Sequence, residues 1–396
     1  MRKIIAIVIP LLPILSIYKS PIPKVDFGTF TICVITILMI LYLKNNNKKI
    51  VLCTRKQPLN MLLVYSTYIF INFLLSLLFY QLNVSVFTVL ARVIKFCVII
   101  LFINLCISNE LFDYKLLYKE LKVVTVLSCL MILLQTMSYY VLKKNIYGVF
   151  MQLVLQGDYK YIDYNSMNLQ YLYRPCAFFL EPSGLSSYLV LYLAILLSSK
   201  PEKKSIVLAI FVTICMILST SGQAFLYCGI LWILFICKCF RKYLNKTTIL
   251  LLLIIILILP IILYRLYSLE IIYKSIQRIV DGSSSGGNAV NARVLSFYYY
   301  NTLSFVNKLF GVGYGNPIPN VYFNSMGYTL YCTGFCGLLI VIDFFIRILK
   351  KYKNKSFIIC WIISTVFSTT FIATNIAFYY PYIIGENEQM KNKNTI

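Results

Sequence analysis

Long runs in which nearly every position is apolar alternate along the chain with short polar stretches. These runs show neither the one-sided stripe of a surface helix nor the strict alternation of a half-buried strand. A helix needs about 20 mainly apolar residues to cross the hydrocarbon of a bilayer. By that measure, spans are expected near 3–18, 27–43, 59–82, 84–107, 121–141, 176–198, 205–220, 223–237, 247–264, 326–346 and 356–380, about eleven in all. The segment 223–237 is short unless its basic flank extends it, and 356–385 holds one long helix or a helix plus a re-entrant piece. The expected fold is all-α: a polytopic helical membrane bundle, one domain over 1–396, with long hydrophilic stretches at 142–175 and 265–325.

Composition sharpens this picture. The chain is 60% hydrophobic and 13% charged, whereas soluble domains are near a quarter charged, so a water-soluble fold is excluded. A net charge of +24 would suit nucleic acid if the cations were clustered. Instead they lie in short runs between apolar stretches, as they do when basic loops stay on the cytoplasmic face. Membrane lipid is therefore an expected partner, and nucleic acid is not. The loops that share a side with the N-terminus hold most of the 37 Lys and Arg residues. This places the N-terminus in the cytoplasm and both long stretches outside. Met1-Arg2-Lys3 followed by Ile4 to Leu15 has the look of a signal peptide, but no small-residue cleavage site follows, and it reads as a retained first helix. The 13 cysteines mostly sit inside apolar runs, as Cys106, Cys129 and Cys215 do, and behave as small hydrophobes. With no histidine and no C-x-x-C spacing, no metal site is expected.

Several polar residues stand where they need a reason. Arg92 and Lys95, three apart on one helix face, lie within the fourth expected span. Either they snorkel to the outer interface or they form an anion site, because a guanidinium beside an ammonium suits phosphate. In Tyr173-Arg174-Pro175-Cys176-Ala177-Phe178-Phe179-Leu180-Glu181-Pro182-Ser183-Gly184, Arg174 and Glu181 are seven apart and would share a face on a helix. A carboxylate there is a structural ion-pair member or a general base. Gly311, Gly313 and Gly315 resemble a dinucleotide fingerprint only superficially, since no strand precedes them and no acidic companion follows. They are expected in a packed outer turn, leaving Tyr314 and Asn316 for sugar hydroxyls. The segment from Asp281 to Gly287 reads as a flexible link, suited to a lid. Tyrosines crowd both long stretches, as an aromatic belt or as stacking surfaces for sugars.

The stretch R-P-C-A-F-F-L-E-P-S-G-L-S-S-Y-L resembles the R-x-x-x-x-F-x-E-P-S signature of Wzy-type polysaccharide polymerases, relatives of the O-antigen ligases. Leu218-Ser219-Thr220-Ser221-Gly222 is similar to the family's L-S-x-S-R-x-G, with Gln223 where an Arg is often found. Arg293 followed by Leu309-Phe310-Gly311-Val312-Gly313-Tyr314-Gly315-Asn316 is similar to the family's Arg and F-G-x-G-x-G. The resemblance implies a metal- and cofactor-independent glycosyltransferase at the outer face of the bacterial cytoplasmic (inner) membrane. Such an enzyme joins oligosaccharide repeats carried on a polyprenyl pyrophosphate into capsule, exopolysaccharide or O-antigen. It implies pyrophosphate contacts from Arg174 and Arg293, with Arg278, Arg92 and Lys95 as further cations and Ser221, Gly313, Tyr314 and Asn316 in substrate contact. Glu181 is the candidate base, with Asp158 or Asp163 as fallback. A flippase and a chain-length regulator are implied partners. The ligase branch uses a histidine that this chain lacks. A flippase for the same lipid is the alternative, although no inverted repeat is visible in the sequence.

Overall fold

The computed structural model describes residues 1–23, 25–47, 51, 58–79, 82–154, 173–198, 202–242, 296–319, 321–352, 355–368 and 374–394. The described residues are helical, joined by turns and two isolated antiparallel bridges, Tyr18 with Val154 and Lys19 with Asp26. Among the described residues, six helices are long and apolar enough to cross a membrane, and the protein is a membrane-embedded helical protein.

The chain divides into two compact units. The first holds α1 (Arg2–Leu15), α2 (Phe27–Asn45), α3 (Leu59–Phe79), α4 (Val86–Ser108) and the start of α5 (Tyr114–Leu142). It also holds α9 (Phe305–Phe310), α10 (Ser325–Lys351), α11 (Lys355–Phe367) and α12 (Thr374–Asn394). The second holds the rest of α5 with α6 (Pro182–Ser198), α7 (Lys203–Leu218) and α8 (Gly222–Lys242). The expected span 247–264 and the flexible link at 281–287 lie outside the described residues.

Helix α3 shows how these sequences make membrane helices. Leu62, Tyr65, Ile69, Asn72, Phe73 and Ser76 recur at helical spacing and are buried, whereas Phe70, Ile71, Leu74, Leu75, Leu77 and Leu78 face outward. Asn72 and Ser76 lie on the buried face and the outward face is largely apolar, the reverse of a soluble helix. In lipid such groups need partners inside the protein: Asn72 bonds to the 310–314 segment, and Ser76 Oγ donates to the Phe73 carbonyl of its own helix at 2.7 Å.

Several spans differ from expectation. Helix α8 runs through its basic flank to Lys242, 21 residues in all. Helix α1 has 14 residues and α7 has 16. The expected span at 176–198 becomes a helix only from Pro182, because proline at the first helical position lacks the amide that would continue it backward. The expected span at 356–380 is divided between α11 and α12, which end and begin at Phe367 and Thr374.

Helix α10 is broken at Gly334 (φ 67°, ψ −171°). A break frees backbone carbonyls, which hydrocarbon cannot satisfy. Here the Tyr331 carbonyl accepts from Val312 N at 3.2 Å, that of Cys332 from Gly313 N at 3.0 Å, and that of Thr333 from the Tyr68 hydroxyl at 2.7 Å. The glycine-rich segment 311–316 is thus tied to the break in α10. A Cβ at Gly334 would lie 2.3 Å from the Leu309 carbonyl oxygen.

At the same end of this unit, Asp26 caps α2. Its carboxylate accepts from Thr29 N and Thr29 Oγ1, both at 2.8 Å, and pairs with Lys95 Nζ. Asp26 is 3% exposed, so removing its charge strands a half-buried ammonium. Asp26→Asn keeps a competent cap but is expected to cost about 2 kcal/mol of stability. Thermal unfolding in detergent checks this, and adding Lys95→Met is expected to recover part of the loss.

Candidate functional site

Two polar constellations are described, one in each unit. The first lies in the second unit, where the segment before α6 folds back on the end of α5. Residues 173–176 form no regular element, and a turn follows in which Phe179 N donates to the Cys176 carbonyl at 2.9 Å. Ala177 takes φ 47°, an uncommon conformation for a residue with a Cβ. It is held there by Gln135, whose Oε1 accepts from Ala177 N at 2.9 Å while Nε2 donates to the Ile146 carbonyl at 3.0 Å. A Cβ on Gly148 would lie 1.9 Å from the Ala177 carbonyl oxygen, so the backbone approach requires glycine there.

This packing shapes a small open pocket lined by Gln135, Asn145, Ile146, Tyr147, Tyr173, Arg174, Pro175 and Cys176, with about 220 Å³ of empty space including its solvent-filled mouth. That is below the usual range for enclosed ligand sites, about 300–1,000 Å³, and suits a single small polar group. Tyr173 stacks on Tyr139 with ring centres 4.1 Å apart and planes within 6°. Burial pushes the Tyr173 phenol well above its ordinary range, so it is a proton donor at neutral pH.

Arg174 and Glu181 do not share a helix, because α6 begins after both. Cys176, which lies between them in the chain, feels both charges. The Cys176 thiol is pushed up to about 11 by burial, drawn down by Arg174 and raised again by Glu181. Glu181 is exposed at the N-terminal end of α6, where its Oε2 accepts from Ser183 Oγ at 2.9 Å and its backbone carbonyl accepts from Leu185 N at 3.2 Å. A cation and a carboxylate thus flank a buried turn beside a tyrosine-lined pocket.

The second constellation is in the first unit, around the glycine segment. Gly311, Gly313 and Gly315 all have positive φ (80°, 107° and 89°). Side chains there would strike the Cys332 carbonyl, Ser76, and Arg92 with Val89, respectively. Asn72 bridges the segment: its Nδ2 donates to the Phe310 carbonyl at 2.5 Å and its Oδ1 accepts from Tyr314 N at 2.6 Å. Tyr314 is buried edge-on against Tyr65, Phe96 and Tyr328. Asn316 is fully buried, with Nδ2 donating to Val312 O at 3.1 Å and Oδ1 accepting from Asn83 N at 2.7 Å. Both side chains expected to meet sugar hydroxyls therefore face inward and hold the segment.

Arg92 is positioned by this segment, its guanidinium donating to the Gly315 carbonyl at 2.7 Å. The fork has five donors, so one bond orients it and leaves the remainder for an anion. Lys95, expected beside it as a second cation, has its charge compensated by Asp26. Ser221 is buried in the α7–α8 turn, and the Gly313 amide donates to the Cys332 carbonyl at 3.0 Å. Arg278, Arg293, Asp158 and Asp163 lie outside the described residues.

No family model and no curated protein matches this chain. The site is therefore argued from its own residues. Sequence reasoning missed Tyr68, Asn72, Asn83, Gln135 and Gly148, which hold these two segments. The available signal was polar side chains within apolar runs, where burial demands a partner.

Proposed function

We propose that this protein is a polysaccharide polymerase of the bacterial cytoplasmic membrane. It joins oligosaccharide repeats carried on a polyprenyl pyrophosphate at the outer face. The reading rests on the resemblance in the Arg174–Gly184 stretch and on one observation: Arg174 lines the tyrosine-lined pocket, and the turn after it leads to the exposed Glu181 carboxylate at the start of α6. In this reading the N-terminus is cytoplasmic, about eleven spans cross the membrane, and stretches 142–175 and 265–325 are extracytoplasmic.

A hydroxyl of one lipid-linked repeat attacks the anomeric carbon of another, its proton passes to Glu181, and the bond to the pyrophosphate breaks with the electron pair leaving on oxygen. Arg174 stabilises that charge. The leaving group is already activated, so the work of the protein is orientation, charge stabilisation and proton removal.

Loss of the protein is expected to leave single lipid-linked repeats on the outer leaflet, whereas repeats trapped on the inner leaflet would indicate a flippase and overturn the reading. Glu181→Gln is expected to lower chain elongation by about 100- to 10,000-fold, the range for a general base. Polymer of normal length from that variant would remove Glu181 from the mechanism.

A further inference from the structure

We propose that residues 296–310 form a hairpin that docks into the lipid bilayer, with Phe305, Val306 and Phe310 among the acyl chains. Residues 296–301 and α9 are its two helical limbs, and 302–304 turn between them. The limbs are tied together where the Tyr300 hydroxyl donates to the Lys308 carbonyl at 3.1 Å. The first limb starts against α10, because Ser296 sits so close to Gly327 that no Cβ fits there. The second ends against α3 and α10: the Phe310 carbonyl accepts from Asn72 Nδ2, and the Leu309 carbonyl meets the Gly334 break.

Helix α9 is inverted relative to a helix in water. Phe305, Val306, Leu309 and Phe310 fall on one face of it, and Ser304, Asn307 and Lys308 fall on the other. Phe305 is 75% exposed, Val306 is 54% exposed and Phe310 is exposed as well, whereas Asn307 and Lys308 are half-buried. Tyr298 on the first limb is also exposed. A surface helix in water turns its apolar face inward. This one turns it outward, as α3 does. The exposed polar side chains, Asn301, Thr302 and Ser304, are gathered at the turn, which suits the headgroup level while the apolar face enters the acyl boundary.

The depth is set by α3. Exposed apolar side chains continue past Asn72 through Leu74, Leu75, Leu77 and Leu78. At 1.5 Å per residue, the acyl region therefore reaches about 9 Å beyond the level at which Asn72 holds Phe310. On α10, none of residues 325–334 is exposed, and a lipid-facing stripe of Phe335, Leu339, Ile342 and Ile346 begins just past Gly334. The outward face of α9 continues these two surfaces, so the bilayer that covers them covers it too. The inference rests on the membrane-embedded fold and not on the polymerase reading. The second long hydrophilic stretch then re-enters the membrane over part of its length.

The test places p-benzoylphenylalanine at Phe305 or Val306 of the full chain in phosphatidylcholine nanodiscs, with Leu78 as the lipid-facing reference and the exposed Lys144 as the loop reference. Both hairpin side chains point away from the protein, so the replacement is expected to leave its packing intact. Photo-adducts to acyl chains at 305 and 306 are expected within about threefold of the yield at Leu78 and at least about tenfold above that at Lys144. Hydroxyl-radical footprinting of the unaltered chain in the same discs needs no variant. Phe305 should be oxidised no faster than Phe70 on the outward face of α3, although it is the more exposed of the two in the fold. Lipid adducts at the Lys144 level, adducts that join two copies of the chain, or oxidation of Phe305 several-fold faster than Phe70 would overturn the proposal.

Discussion

Arg174→Leu is expected to reduce polymer synthesis by about 100- to 1,000-fold, the loss typical when one preorganised donor to a developing anion is removed, while the protein still accumulates in the membrane. Arg174 is half-buried at the pocket mouth, and its field reaches Cys176. Its fixed charge therefore acts where water cannot screen it fully. The turn that carries it is held by Gln135 and by the close approach of Gly148 to Ala177, so the local fold is expected to survive the substitution. Arg174→Lys keeps the charge but not the planar fork, and is expected to recover only part of the activity. Quantifying polymer per unit of membrane protein checks both. Wild-type yield from Arg174→Leu would sink the pyrophosphate assignment.

The largest structural effect is expected from Gly311→Val. A Cβ at that position would meet the Cys332 carbonyl oxygen at 2.3 Å and the Thr333 amide at 2.5 Å, and φ of 80° disfavours a β-branched residue in addition. The segment cannot retreat without releasing the bonds that Val312 N and Gly313 N make to the carbonyls freed by the α10 break. Two unsatisfied carbonyls in an apolar surrounding, plus strain, are expected to cost about 4 kcal/mol or more, enough to abolish accumulation of a marginally stable protein. Gly229→Ala is the control, because open space surrounds that glycine within α8, and it is expected to stabilise by about 0.5–1 kcal/mol. Unfolding midpoints and membrane levels of the two variants check the pair. Equal behaviour would mean that the 311–316 segment does not hold the fold.

Helix content and the membrane setting were legible from apolar run length alone, because a bilayer demands both an apolar exterior and an internally satisfied backbone. Helices α2 to α5, α8 and α10 follow from that rule. Arg174, Glu181 and the three glycines were also legible as residues needing a reason, since charge and glycine are costly inside such runs. Their geometry was not legible. Seven-residue spacing placed Arg174 and Glu181 on one helix face, whereas Pro182 starts α6 after both and a turn lies between them.

The sequence by itself determined that this is a helical membrane protein and which polar residues stand out within its apolar runs, because those are local properties of composition and length. Only the tertiary structure decided what those polar residues meet. Lys95 meets Asp26, Asn72 bridges Phe310 and Tyr314, and Asn316 turns inward to Asn83. Gln223 finds no acceptor for its amide nitrogen. Most of these partners lie far apart in the chain. A buried polar group demands some partner, but which one is set by the packing of helices that share no local sequence signal.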